Sequence, residues 1–306
     1  MRYVTKFKIA GLIFKLTSRY PLVLKDDQEL LNRYEAFLYH GRQKDDIKIS
    51  VEVVKSFPAV SGKEVFAVHE PVSDFERWRL WEDKNGYVFY CPLADREVMA
   101  WVKKDFSRAR AYTLTYRKEF VWDPRDIIYD LMQVMLINHL ACRKKGLILH
   151  AAGIKENNRA VVFAGKSESG KSTTAWIWHK YSKAVVLNDD RIIVRKAKKG
   201  FWAYSAPWHG EFGHERRAVS AQAALKTLFI IEHGKDNSCR RIEGVELFQA
   251  LYPVLFPVFW DAALMDNTLD VCQDLMKSVT VYRLGFVKNK KVISFVRRIV
   301  AKRVQL

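Results

Sequence analysis

Cysteine is scarce in this chain of 306 residues: Cys91, Cys142, Cys239 and Cys272 are the only four, and no two form a C-x-x-C pair. That spacing excludes a disulfide framework and a zinc site built on paired thiolates, and it fits a reducing compartment. Long apolar runs are lacking too. Pro253 to Trp260 carries two prolines and is too short to span a bilayer. Near the N-terminus, Ile9 to Phe14 is flanked by Lys6, Lys8 and Lys15 but is too short for a signal sequence, and reads as a strand. Internal repeats and low-complexity linkers are missing as well. The expectation is a cytoplasmic protein with no membrane partner.

Acidic residues are under-represented, 34 against 52 Lys and Arg, for a net charge of +18. The excess is uneven: residues 1–150 hold 26 basic and 20 acidic side chains, residues 151–306 hold 26 and 14. A basic surface can serve nucleic acid, anionic membranes, acidic proteins or nucleotide phosphates. The basic runs (Arg143 to Lys145, Lys196 to Lys199, Lys288 to Lys291) are short and sit at expected turns or helix ends. No aromatic–basic RNA-binding signature accompanies them, so nucleic acid is not an expected partner. With 49% hydrophobic and 13% aromatic residues, the chain can bury a substantial core.

The most informative stretch runs from Ala160 to Ser172. An apolar strand, Ala160 to Ala164, leads into Gly165-Lys166-Ser167-Glu168-Ser169-Gly170-Lys171-Ser172, and a helix is expected from Thr173 to Tyr181. This is the phosphate-binding pattern G-x-x-x-x-G-K-[ST] in its strand–loop–helix setting. Its glycines let backbone N–H groups turn around a polyphosphate, and the helix adds the positive end of its dipole. Lys171 would reach the outer phosphates, and the Ser172 hydroxyl would hold magnesium. The cofactors implied are ATP, or another nucleoside triphosphate, and Mg2+.

Downstream, the apolar run Ala184 to Leu187 ends in Asn188-Asp189-Asp190-Arg191. Carboxylates delivered at the end of a strand after a phosphate loop suit a metal ligand or a proton acceptor beside the γ-phosphate. Adjacent strand residues point to opposite faces, so both acids reach one site only if the strand ends there in a turn. The loop Ala206 to Glu211 brackets Gly210 with His209 and Glu211; together with Arg217 these are candidates for gripping substrate.

Elsewhere, residues 1–125 read as strands and turns with little helix, and form a β-rich N-terminal domain that could bind substrate or oligomerise. Ile47 to Val54 alternates as a half-buried strand, and Asn85-Gly86 marks a hairpin between Trp78–Trp81 and Tyr87–Cys91. Trp78, Trp81 and Trp101 are expected to be core. A helix is expected from about Arg125 to Cys142, stopped by Gly146, and the domain boundary is placed just before it. Leu147 to Leu149 is expected as a strand ending in His150-Ala151-Ala152-Gly153, with Asn157-Asn158 turning the chain back. Helices are expected over Glu243–Tyr252, Asp261–Lys277 and Val292–Arg303.

The order Leu149-His150-Ala151-Ala152, phosphate loop, helix, Leu187-Asn188-Asp189-Asp190 resembles the catalytic domain of bacterial HPr kinase/phosphorylase and its relatives. The resemblance covers residues 126–306. It implies an α/β fold with a mixed sheet, of the type shared with phosphoenolpyruvate carboxykinase. Carried onto matching positions, it implies that Lys171 holds the phosphates, Ser172 and Asp190 hold magnesium, Asp189 is the base for an incoming hydroxyl, and His150 sits beside the transferred group. Ala206 to Glu211 is similar to a Pro-Trp-x-Gly-Glu loop of the kinase-like relatives, some of which phosphorylate serines of ribosomal peptides. Residues 1–125 do not match the N-terminal domain of the HPr enzymes, and Glu215-Arg216-Arg217 lacks the glycines of their Glu-x-Arg-Gly-Leu-Gly loop. The implied activity is therefore a kinase acting on a serine of another protein or peptide. A small-molecule kinase, a nucleotide-gated binding protein and a homo-oligomer stay open.

Overall fold

In the computed structural model, residues 2–22, 28–67, 78–93, 96–114, 127–210 and 217–302 are described. The fold is mixed α/β, with two mixed sheets and several helices. Contacts divide the chain into two units, and each has its own sheet. No helix among the described residues is long and apolar enough to cross a membrane.

The first unit carries β1 (Tyr3–Ile9), β2 (Leu12–Ser18), residues 28–31 of a short helix α1 (Gln28–Tyr34), β3 (Ile47–Val54), β4 (Lys63–Ala67), β5 (Arg79–Glu82), β6 (Gly86–Leu93), β7 (Arg96–Lys103) and β8 (Arg108–Leu114). Its strands lie in the order β1-β2-β3-β8-β7-β6-β5-β4. Ile47, Ile49 and Val51 of β3 are buried and alternate with more exposed neighbours, as their period requires. The Asn85-Gly86 hairpin forms, with Glu82 paired to Tyr87, but Asp83 makes the turn. Its Oδ1 accepts from the N–H groups of Asn85 (2.7 Å) and Gly86 (2.9 Å). Neither Asn85 nor Gly86 needs a left-handed backbone, so the tight two-residue turn is replaced by a four-residue Asx-type loop.

A π-turn, Ile127–Leu131, leads into α2 (Met132–Cys142). The unit boundary falls at Arg143/Lys144, not just before residue 126, so α2 goes with the first unit. The reason is tertiary. His139 Nδ1 donates to the Phe106 carbonyl at 3.1 Å, and Arg143 donates to that of Asp105 at 2.8 Å. Residues 258–265 also join the first unit, whereas 32–37 join the second.

The second unit comprises β9 (Gly146–Glu156), β10 (Arg159–Ala164), α3 (Lys171–Tyr181), β11 (Val185–Asn188), β12 (Arg191–Lys196), β13 (Phe201–Tyr204), β14 (Gln222–His233), β15 (Ser238–Arg241), α4 (Gly244–Leu251), α5 (Ala262–Ser278), β16 (Thr280–Phe286) and α6 (Lys291–Lys302), with the first turn of α5 lying in the other unit. Strand β9 does not stop at Leu149 but continues through His150 to Glu156. Asn157 (φ 46°) and Asn158 (φ 62°) then form the two-residue turn to β10. Strand order is β10-β9-β12-β13-β14-β16-β15, and β14 also pairs in parallel with β10, which closes five strands on themselves.

Strand β10 is buried on both faces, hence its unbroken apolar sequence. Val162 and Ala164 join a cluster with Leu247 of α4 and Leu275 of α5. Val161 and Phe163 face the other way, onto Trp178 of α3 and Val296 of α6. Phe163 stacks on Phe229 with centroids 5.6 Å apart. Burying a side chain of that size contributes roughly 1.5–3 kcal/mol, so β10 is anchored from both sides as it delivers the loop.

Candidate functional site

The loop Gly165–Gly170 leaves β10 and enters α3 at Lys171, one residue pair before the expected start. Gly170 is the N-cap, with φ 99° and no side-chain cap, so the first N–H groups of α3 are left without helical acceptors. A β-carbon at Gly170 would be strained at that φ and would meet Phe286 at 2.7 Å; one at Gly165 would meet Ser169 Oγ at 2.3 Å. Glu168 also has a left-handed backbone, φ 63°, and its carbonyl accepts from His233 Nε2 at 3.0 Å. Lys166, Ser167 and Glu168 are exposed, and Ser169, Gly170, Ser172 and Thr173 are half-buried. The Ser169 hydroxyl is buried with no hydrogen-bond partner among the described residues.

Lys171 is only 6% exposed. Its Nζ donates to the Lys166 carbonyl at 2.7 Å and so folds back inside the loop. Burial pushes its pKa down, while the negative charges of Asp190 and Asp189 push it up; the net shift is downward. Both acids thus share one electrostatic environment with the lysine. That requires the turn demanded by the sequence, and it is present: β11 ends at Asn188, Asp189 and Asp190 form a bend, and β12 starts at Arg191.

Asn188 builds this bend. Its Oδ1 accepts from the N–H groups of Asp190 (2.8 Å) and Arg191 (2.9 Å), and its Nδ2 donates to the carbonyls of Ala206 (2.8 Å) and Trp208 (3.1 Å). The acid turn is therefore tied to the loop 206–210, and Gly210 N–H donates to Asp189 Oδ1 at 3.0 Å. Asp189 is buried, at 2% exposure. Replacing Asn188 with alanine strands two part-buried N–H donors and two carbonyl acceptors; an unmet buried polar group costs about 1–3 kcal/mol. Asn188→Ala is expected to lower the unfolding free energy obtained from urea denaturation by an amount in that range, and an unchanged value would refute its role.

Asp190 is held from two sides. His150 Nε2 donates to Oδ1 at 2.9 Å, and Arg191 Nη1 lies 2.9 Å from Oδ2. The pairing of β12 with β9 sets Arg191 opposite His150, so one register delivers both partners. Phe256 packs beside them, with the Arg191 guanidinium 5.4 Å from its ring centroid. Burial raises the Asp190 pKa, but the His150 hydrogen bond and the charges of Arg191 and Lys171 outweigh it and leave the carboxyl below its usual value. Its contribution to stability is thus present above the ordinary carboxylate range and lost as pH falls through the lower folded value.

His150, Lys171, Asp189 and Asp190 are therefore brought together, and the loop lies beside them. Of the other candidates, His209 is buried and its Nδ1 donates to the Gly210 carbonyl at 2.9 Å. Arg217 is exposed and pairs with Glu35 at 3.7 Å. Glu211 lies outside the described residues. Sequence reasoning assigned no role to Asn188, Arg191, His233 or Phe256. An Asn opening an acidic turn was a readable signal, whereas the contacts of Arg191, His233 and Phe256 depend on strand pairing. No protein-family model matches the chain, and no curated protein matches it at a significant level.

Proposed function

We propose that the chain is a kinase of the HPr kinase/phosphoenolpyruvate carboxykinase type. It would move the γ-phosphoryl group of ATP, or a related triphosphate, to the serine hydroxyl of a cytoplasmic protein or peptide. The observation that carries this reading is the shared environment of Lys171, Asp189 and the His150–Asp190 pair at the mouth of a glycine-bounded loop. The loop fits a polyphosphate: its helix N-terminus has unmet N–H groups, and the Ser169 hydroxyl lacks a partner among the described residues. Among the described residues no three His, Cys, Asp or Glu side chains cluster into a metal site of their own. Magnesium held with nucleotide phosphates needs only one or two protein oxygens, and Ser172 and Asp190 offer them.

Each residue then has a task. Lys171 and the loop N–H groups neutralise and orient phosphate charge. Asp190, kept ionised by His150 and Arg191, joins the Ser172 hydroxyl as a metal ligand. Asp189 takes the proton from the acceptor hydroxyl as its oxygen bonds to the γ-phosphorus, while the bond from that phosphorus to the β–γ bridging oxygen breaks and the nucleoside diphosphate leaves. Bound magnesium triphosphate supplies the phosphoryl group and the neutralising charge. Phosphoryl transfer is mostly positioning and electrostatics, and the ties from Asn188 and Gly210 supply the positioning. Excess chelator is expected to abolish transfer of radiolabelled phosphate to a serine peptide while thermal unfolding stays unchanged. Transfer that persists in chelator would overturn the metal roles.

A further inference from the structure

A second feature adjoins the loop on the side away from the acids. Strand β10 lies between β9, which carries His150 and pairs with β11, and β14, whose end reaches the loop through His233. On the β14 side a groove of about 560 Å³ opens against the loop, with Ile231, Arg283, Gln249, Ala250 and Pro253 among its walls. That volume is within the roughly 300–1,000 Å³ of small-molecule sites. Three charged side chains of its wall, Arg283, Glu232 and Glu246, are already paired. Arg283 pairs with Glu232 and with Glu246, each at 3.1 Å, and Arg240 grips Glu246 as well. The groove therefore presents carboxylate oxygens whose charge is offset, an exposed amide on Gln249, and apolar surface from Ala250 and Pro253.

We propose that this groove is the nucleoside subsite: the base lies on the apolar wall against the Gln249 amide, and the ribose hydroxyls donate to Glu232 or Glu246. Carboxylates are the usual acceptors for ribose hydroxyls, and a neutral ring with donor hydroxyls suits a wall whose carboxylates are already paired with arginines. The inference rests on the proposed phosphate role of the loop. It places the nucleoside and the acceptor hydroxyl on opposite sides of β10, so that neither obstructs the other.

The test is calorimetric titration of the full chain with magnesium–ATP and with magnesium–tripolyphosphate, in the parent and in Gln249→Trp. Gln249 is exposed, so the indole fills the groove without entering the core. The parent is expected to bind ATP at least about tenfold more tightly than tripolyphosphate, a difference a few groove contacts can supply. Gln249→Trp should erase that preference and leave tripolyphosphate binding intact, which also reports that the variant is folded. Equal affinities in the parent, a preference that survives in the variant, or equal weakening of both ligands would overturn the subsite while leaving the loop's role standing. A parent that binds neither ligand overturns the loop's role and the subsite with it.

Discussion

Asp189→Asn is expected to slow phosphoryl transfer by about 10²–10⁴-fold, the usual cost of losing a general base, while magnesium–ATP affinity stays near that of the parent. The geometry favours this separation. Asparagine keeps an oxygen that can accept from Gly210 N–H, so the tie to the 206–210 loop survives and only the proton-accepting charge is lost. Asp190→Asn should behave differently. It removes the partner of both His150 and Arg191, which are only 29% and 19% exposed at their side chains. Binding, turnover and stability should fall together, since the Arg191 guanidinium loses its anion and the His150 ring N–H its charged acceptor. Radiolabelled transfer to a serine peptide, calorimetry and urea denaturation on both variants decide the matter. Identical behaviour would remove the division of labour between the two acids. If the parent transfers to no hydroxyl while still binding nucleotide, a nucleotide-gated binding protein becomes the better description.

Lys171→Met should all but abolish magnesium–ATP binding. Removing one partner of a desolvated charge pair costs about 2–5 kcal/mol, or roughly thirtyfold to several thousandfold in affinity. Methionine keeps the apolar stem of a side chain that is 6% exposed, contrary to the exposed lysine that a flexible glycine loop suggests. The stability change should be small. The bond from Nζ to the Lys166 carbonyl is lost, at about 0.5–1.5 kcal/mol, but so is the penalty of burying an ammonium group. Calorimetry beside thermal unfolding checks both halves, and unchanged nucleotide affinity would refute the phosphate role of the loop.

Much of the second unit was legible in the chain because its signals are local. The apolar run 160–164, the glycines at 165 and 170, and the Asn157-Asn158 turn each act within a few residues, and the structure has a strand, loop and hairpin there. The helices at 244–251, 262–278 and 291–302 follow the expected periodicity to within a residue or two. Less local features escaped. Strands β4 and β15 and helix α1 are short and carry no strong period, so nothing in their own sequence demanded them. The helix at 132–142 was readable as a helix, but its allegiance to the first unit depends on the carbonyls of Phe106 and Asp105, more than thirty residues away.

At the site the same division holds. By itself the sequence determined which groups are present: a phosphate-loop pattern, a histidine before it and two acids after it. Only the tertiary structure decided that they meet. Strand β9 pairs with β10, β11 and β12, and this one shared strand brings His150, the loop and the acid bend to one place across some forty residues of chain. The partners of Asp190 follow from that pairing, and the groove beside β14 from the pairing of β14 with β10 and β16. Backbone hydrogen bonding between distant strands sets them, and no periodicity within a single segment encodes it.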